Sequence, residues 1–121
     1  MKKSWPYIIT IAIIILGLII VFAPTKTTGM PTKPTLFVGD GCPHCKKVED
    51  FITSSGVDKK YSFDTKEVWY NQNNAAVMNQ VWQHCGLSNT ADGGMSVPLL
   101  WDGNTCYSGE VEIMNFLKTK L

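Results

Sequence analysis

The 121-residue chain contains no arginine, and its charges sum to only +1. Without arginine there is no planar guanidinium fork to grip a phosphate through two parallel hydrogen bonds. The lysines alternate with Asp and Glu instead of forming the basic stripe that a phosphate backbone requires, which argues against a nucleic-acid partner. Cysteine is sparse as well, with residues only at 42, 45, 85 and 106. Charge is missing altogether from Tyr7 to Ala23, a stretch made mainly of Ile, Leu, Val, Ala and Phe with one Gly at position 17. At about 1.5 Å per residue it covers about 26 Å, slightly short of the hydrocarbon core but within the range of a spanning helix.

That apolar stretch divides the chain. Residues 1–6 form a short basic tip, residues 7–23 a transmembrane signal anchor, residues 24–33 a Pro/Thr/Lys linker, and residues 34–121 a single domain. A cleaved signal peptide is the rival reading, since Lys2 and Lys3 precede the apolar run and Val21-Phe22-Ala23 resembles a cleavage site. The run exceeds the usual apolar core of a signal peptide, and Pro24 directly after Ala23 is expected to hinder processing. Under either reading the remainder is exported. Lys2, Lys3 and the terminal amine outweigh the nearby Lys26 and Lys33 only modestly, and they place the tip in the cytoplasm. The expected location is therefore a single-pass membrane protein whose C-terminal domain is extracytoplasmic, at a cell surface or in a periplasm.

The exported part, about 88 residues, is large enough for one core and not two. Thr35-Leu36-Phe37-Val38 reads as a buried strand, closed by Gly39-Asp40-Gly41. Pro43 suits the first position of a helix, and Cys45, Val48, Phe51 and Ile52 recur at helical spacing up to Ser54-Ser55-Gly56. Tyr61 and Phe63 alternate with polar neighbours across 60–64, as in a second strand. Lys66 to Cys85 reads as a helix, with Asn71 to Asn74 a weak point that can split it. After a Gly/Ser/Asn/Asp loop, Val97 to Trp101 and Thr105 to Ser108 form a hairpin about Asp102-Gly103-Asn104. Glu110 to Leu121 closes the chain as a helix whose early acids and late lysines match its dipole. The expected order is β-α-β-α-β-β-α.

Cys42-Pro43-His44-Cys45 falls between the first strand and the first helix. At a helix start, unpaired backbone N–H groups and the positive end of the dipole favour thiolate over thiol at Cys42. A thiolate there attacks a disulfide to form a mixed disulfide, or its oxidised pair accepts attack by a substrate thiolate. Cys45, one turn on and facing inward with Val48, is placed to resolve the intermediate. His44 sits where its imidazole can stabilise the Cys42 thiolate, which would make the disulfide more oxidising. Its plainer reading is an exposed polar residue in the first turn. No cofactor is called for.

This element order, with the Cys-Pro-His-Cys at the helix start and Ser96-Val97-Pro98 opening the third strand, resembles the thioredoxin superfamily over nearly all of residues 34–121. The compact order is similar to glutaredoxin-like proteins, and the Pro-His dipeptide to the DsbA type. The resemblance implies an α/β fold with a four-stranded mixed sheet flanked by helices, here preceded by a single transmembrane helix. It also implies a cis Pro98 facing the dithiol, with the Val97 backbone available to an extended substrate; the alternative is an ordinary trans proline at the start of a strand. Several family features are missing. No Lys precedes Cys42, where Gly39-Asp40-Gly41 stands, and Ser108-Gly109-Glu110 replaces a Gly-Gly-x-Asp-like turn, so glutathione binding is not expected. The Trp-Cys-Gly-Pro-Cys of thioredoxins is absent, and the first strand carries no acid for a proton relay.

Cys85 and Cys106 admit three readings: a structural disulfide tying down the 86–96 loop, two buried free thiols, or a redox relay. Trp69, Trp82 and Trp101 are expected as core or half-buried packing residues, although one of them could flank the active site and hold a substrate peptide. The leading functional expectation is a membrane-tethered thiol–disulfide oxidoreductase acting on protein thiols and disulfides. Its redox partner would be a quinone-coupled oxidase or a transmembrane reductant carrier. A metal-binding or metallochaperone module using Cys42, Cys45 and His44, or His84 and Cys85, is the second class. A non-catalytic thioredoxin-like interaction domain is the third.

Overall fold

A computed structural model describes residues 3–22 and 29–121. Helix α1 spans Trp5–Phe22 with a mean hydropathy of 2.6 and no buried residue. At about 27 Å it is long and apolar enough to cross a membrane. The cleavage-like end at Ala23, Pro24, the charges of Lys2 and Lys26 and the first half of the linker lie outside the described residues.

Strand β1 (Thr35–Val38) is buried along its whole length. Such a continuous apolar run fits a strand covered on both faces. It pairs in parallel with β2 (Asp64–Glu67) and antiparallel with β3 (Leu99–Trp101), which pairs antiparallel with β4 (Cys106–Ser108). The sheet order is β2-β1-β3-β4. Helices α2 (Pro43–Ser55) and α4 (Glu110–Lys118) pack together on one face, and α3 (Gln72–His84) covers the other.

Because side chains alternate across a strand, neighbouring residues serve different cores. Leu36, opposite Leu100, joins Val38, Val48, Ile113 and Leu117 beneath α2 and α4. Phe37, opposite Leu99, joins Met78, Val81 and Trp82 beneath α3. Helix α2 ends where Gly56 takes the left-handed conformation, φ 68°, and its N–H bonds back to Ile52; glycine reaches that region without strain. The domain thus has the thioredoxin-like order and mixed sheet expected from the sequence.

Two segments differ from the sequence expectation. The second strand lies at Asp64–Glu67 instead of 60–64, where an irregular stretch follows a short 3-10 turn (Val57–Lys59). Tyr61 and Phe63 alternate because both pack from a loop onto the α2/α4 core, with Tyr61 edge-on to Phe116 at 5.6 Å. The true strand is a polar edge, Asp-Thr-Lys-Glu, whose pairing is carried by backbone groups and leaves little side-chain signature. The following helix begins at Gln72, not Lys66. Asn71 is its N-cap and accepts the N–H of Asn74 at 3.0 Å, so the asparagine cluster starts this helix and does not break it.

Cys85 and Cys106 are joined as a disulfide with a Cα separation of 6.2 Å, linking the end of α3 to β4. The ring closes over 21 residues of sequence separation. In the chain-entropy picture such a ring contributes about 3 kcal/mol by restricting the unfolded chain.

Candidate active site

The turn at Gly39-Gly41 delivers Cys42 to the start of α2. The Cys42 N–H donates to the Gly39 carbonyl at 3.1 Å. Cys42 is the N-cap in extended conformation (φ −73°, ψ 117°), and Pro43 follows in the first helical turn, where its missing N–H breaks no bond. The Cys42 sulfur occupies the place of a capping oxygen and accepts the Cys45 N–H at 3.2 Å. Both cysteines are free thiols and buried.

Cys45 points into the α2/α4 core beside Val48. Burial pushes its thiol up to about 12, helped by its hydrogen bond to Cys42 and by the negative charge Cys42 carries when ionised. Across from the pair, Val97–Pro98 is a cis peptide. The Val97 carbonyl oxygen lies 4.0 Å from the Cys42 sulfur. Residues 55 positions apart in sequence, Cys42 and Val97, with their neighbours Cys45 and Pro98, therefore meet at one end of the sheet.

His44 is 63% exposed and does not pair with a cysteine sulfur. Its Nδ1 lies 3.0 Å from Glu110 Oε2, at the start of α4, and the other oxygen of Glu110 accepts from Lys47 Nζ at 3.3 Å. The hydrogen bond from His44, reinforced by Lys47, holds the Glu110 carboxyl below the usual carboxylate value. A groove of about 330 Å³ runs between His44, Val97, Pro98 and Glu110. A second, of about 440 Å³, opens on Asp40, Cys42, Pro43 and Lys46.

Of the three tryptophans, Trp69 is the one beside the turn that precedes Cys42, and a second neighbour, Glu67, escaped the sequence reading. Trp69 is 51% exposed, unlike the buried Trp82 and Trp101, and lies directly against Gly39. A side-chain carbon at position 39 would collide with the Trp69 indole, so only glycine admits this contact. Glu67 organises the same corner. Its carboxylate accepts backbone N–H groups from Trp69 (2.6 Å), Tyr70 (3.0 Å), Asn71 (3.2 Å) and, across the gap, Asp40 of the active-site turn (3.3 Å). Only the cluster of turn residues after Glu67 signalled it, since a carboxylate that caps its own following turn reads as an ordinary surface acid.

Burial acts to raise Glu67, but the four N–H groups outweigh it and hold the carboxyl below the ordinary value. The stabilisation this gives is present above the unfolded carboxylate pKa and lost as pH falls through the lower folded one. Between about pH 5 and pH 3, the stability gap between the wild-type chain and Glu67→Gln should therefore narrow. Denaturant midpoints measured at each pH test this, and a constant gap would count against the role of the ionised carboxylate.

No protein-family model and no curated protein sequence matches the chain. Among solved structures, it is similar to oxidised glutaredoxin 2 from Chlamydomonas reinhardtii, with 17% identity, 72% of each chain covered and a TM-score of 0.48. It is also similar to a buckwheat glutaredoxin in complex with glutathione, with 16% identity, 71% of this chain and 68% of that one covered, and a TM-score of 0.49. The thioredoxin-like fold of the domain follows from its own strand order, its helix placement and the Val97–Pro98 peptide facing the cysteine pair.

Proposed function

We propose that the chain is a membrane-tethered, extracytoplasmic thiol–disulfide oxidoreductase that exchanges disulfides with protein substrates through Cys42 and Cys45. The observation that carries this reading is the Cys42 sulfur at a helix N-cap, receiving the Cys45 N–H and facing Val97 beside a cis proline. Cys42 is the nucleophile. As thiolate it attacks one sulfur of a substrate disulfide, forms a mixed disulfide and releases the other sulfur as a thiolate. Cys45 then gives up its proton and attacks the Cys42 sulfur, releasing the reduced substrate and leaving Cys42–Cys45 oxidised; the reverse sequence oxidises a substrate dithiol.

The order of the two steps follows from Cys45. In the resting dithiol it stays protonated, because burial, its bond to Cys42 and the Cys42 charge all oppose ionisation. Once Cys42 is locked in a mixed disulfide, its charge no longer opposes ionisation, and burial and the Glu49 charge are left against the favourable Gly39 backbone hydrogen bond. Cys45 becomes easier to ionise at the moment it is needed.

Protein thiols fit this site better than glutathione. The groove beside Pro98 is bordered by Glu110 and Glu112 at the start of α4, and Glu112 already accepts the Ser108 N–H at 2.9 Å. An anionic tripeptide entering there meets two carboxylates. An extended peptide segment instead finds the Val97 backbone and the apolar wall of Pro98. The apolar α1 supports tethering, and the Cys85–Cys106 disulfide supports an oxidising compartment.

The metal-binding alternative keeps the Cys42 and Cys45 thiols but gains no further donors beside them. Cys85 is spent in the disulfide, His44 is engaged by Glu110, and His84 stacks edge-on to Trp101 at 5.5 Å. Among the described residues no three His, Cys, Asp or Glu side chains converge. The deciding test uses the full chain in detergent, with insulin as the disulfide substrate, a reduced dithiol peptide as the thiol substrate, and zinc added or omitted. Exchange in at least one direction, unchanged by zinc, is expected. Stoichiometric tight zinc without exchange would refute the redox reading. Labelling of Cys42 in intact cells by a membrane-impermeant maleimide tests the placement, and labelling only after lysis would place the domain inside.

A further inference from the structure

The residues flanking the dithiol carry opposing charges. Cys-Pro-His-Cys presents His44 one position after Pro43, where a histidine free to face the Cys42 thiolate would stabilise the reduced pair. In the structure its ring nitrogen is taken up instead by Glu110, which comes from α4, 66 residues along the chain. The same carboxylate holds Lys47 on the next turn of α2. We propose that Glu110 is a positioning residue that mutes His44 and Lys47, making the Cys42–Cys45 couple less oxidising than its Pro-His dipeptide alone would make it. This rests on the redox reading above and addresses the direction of electron flow within it.

The geometry supports muting in either protonation state of the imidazole. When neutral, His44 donates its Nδ1 proton to the carboxylate at 3.0 Å, which fixes the ring toward α4. When charged, its positive charge sits against the negative carboxylate, and the pair presents little net field to a thiolate in the same helical turn. Lys47, 3.3 Å from the other oxygen, is neutralised in the same way. Glu110 is only 19% exposed, so solvent screens it less than the outer ends of the two cations.

Reduction of the Cys42–Cys45 disulfide takes two electrons and two protons from two molecules of glutathione, which leave as glutathione disulfide. With the proton of the nucleophile lost, the product carries a thiolate at Cys42, and any nearby positive charge favours that product. Removing Glu110 deletes one negative charge and frees Lys47 and the His44 ring from it, so the local balance becomes more positive.

The test measures the reduction potential of the full chain in detergent, equilibrated in glutathione buffers and read by alkylation gel shift. Glu110→Gln should shift the equilibrium toward the reduced protein by about three- to tenfold, up to about 30 mV. His44→Asn alone should shift it less than twofold, because His44 is already muted. His44→Asn added to Glu110→Gln should take back at least half of the shift, and Glu110→Asp, which keeps the charge, should stay near wild type. An unchanged potential in Glu110→Gln, or a shift fully retained without His44, would overturn the proposal. A wild-type pair that never equilibrates with glutathione or protein disulfides would instead overturn the oxidoreductase reading itself. Thermal unfolding of each variant separates these effects from loss of the α2–α4 contact, since a merely structural role moves stability and leaves the potential in place.

Discussion

Cys42→Ala is expected to reduce thiol–disulfide exchange by roughly a thousandfold or more, because it removes the sulfur at the N-cap of α2. Cys45→Ala should behave differently. With Cys42 intact, attack on a substrate disulfide still occurs, but the mixed disulfide has no resolving thiol and accumulates. Non-reducing gels of Cys45→Ala incubated with a disulfide-containing protein should show a reductant-sensitive adduct, and Cys42→Ala should show none. The asymmetry arises because Cys42 caps the helix and borders a groove, whereas Cys45 lies in the core with its thiol pushed up to about 12 by burial. An adduct on Cys42→Ala, or exchange that survives in it, would mean that the nucleophile is another residue.

Phe37→Ala should destabilise the domain by about 3–5 kcal/mol, the cost of removing a fully buried aromatic side chain and leaving a cavity. Phe37 has no exposed surface and lies on the central strand, packed with Leu99 and with Met78, Val81 and Trp82 of α3. A domain of this size has a total stability of order 5–15 kcal/mol, so the loss is a large part of it. Val111→Ala is the comparison. Val111 is 62% exposed on α4, and its truncation should stay within about 0.5 kcal/mol. Denaturant midpoints of the two variants measure the difference, and equal effects would contradict the two-sided burial of β1.

These two residue classes were readable from the sequence because their signals are local. Thr35 to Val38 is a nearly unbroken apolar run between Pro34 and Gly39, and a strand buried on both faces shows that pattern. Cys42 to Cys45 follows immediately, with Pro43 marking the helix start. Strand β2 was displaced because an edge strand pairs through its backbone, and the aromatic alternation of Tyr61 and Phe63 records loop packing against Phe116. Glu110 was read as a complement to the helix dipole, a role it has, while its grip on His44 depends on α2 and α4 lying side by side. No spacing within one segment encodes a contact made across 66 residues. Which of the three tryptophans would flank the dithiol was equally hidden, since only the proximity of Gly39 singles out Trp69.

Met30 packs with the core beneath α3, and the Pro31 carbonyl accepts the Trp101 indole N–H at 3.3 Å. Contacts with the domain therefore reach back to Met30, and eight residue spacings separate it from Phe22, the last residue of α1. Stretched taut, that leash reaches at most about 28 Å. Tethered as proposed, so tightly moored an oxidoreductase would patrol a thin shell of solvent above the bilayer. Its clients would be disulfides held close to the lipid surface, such as those in the outer loops of integral proteins or in chains still emerging from a translocation pore.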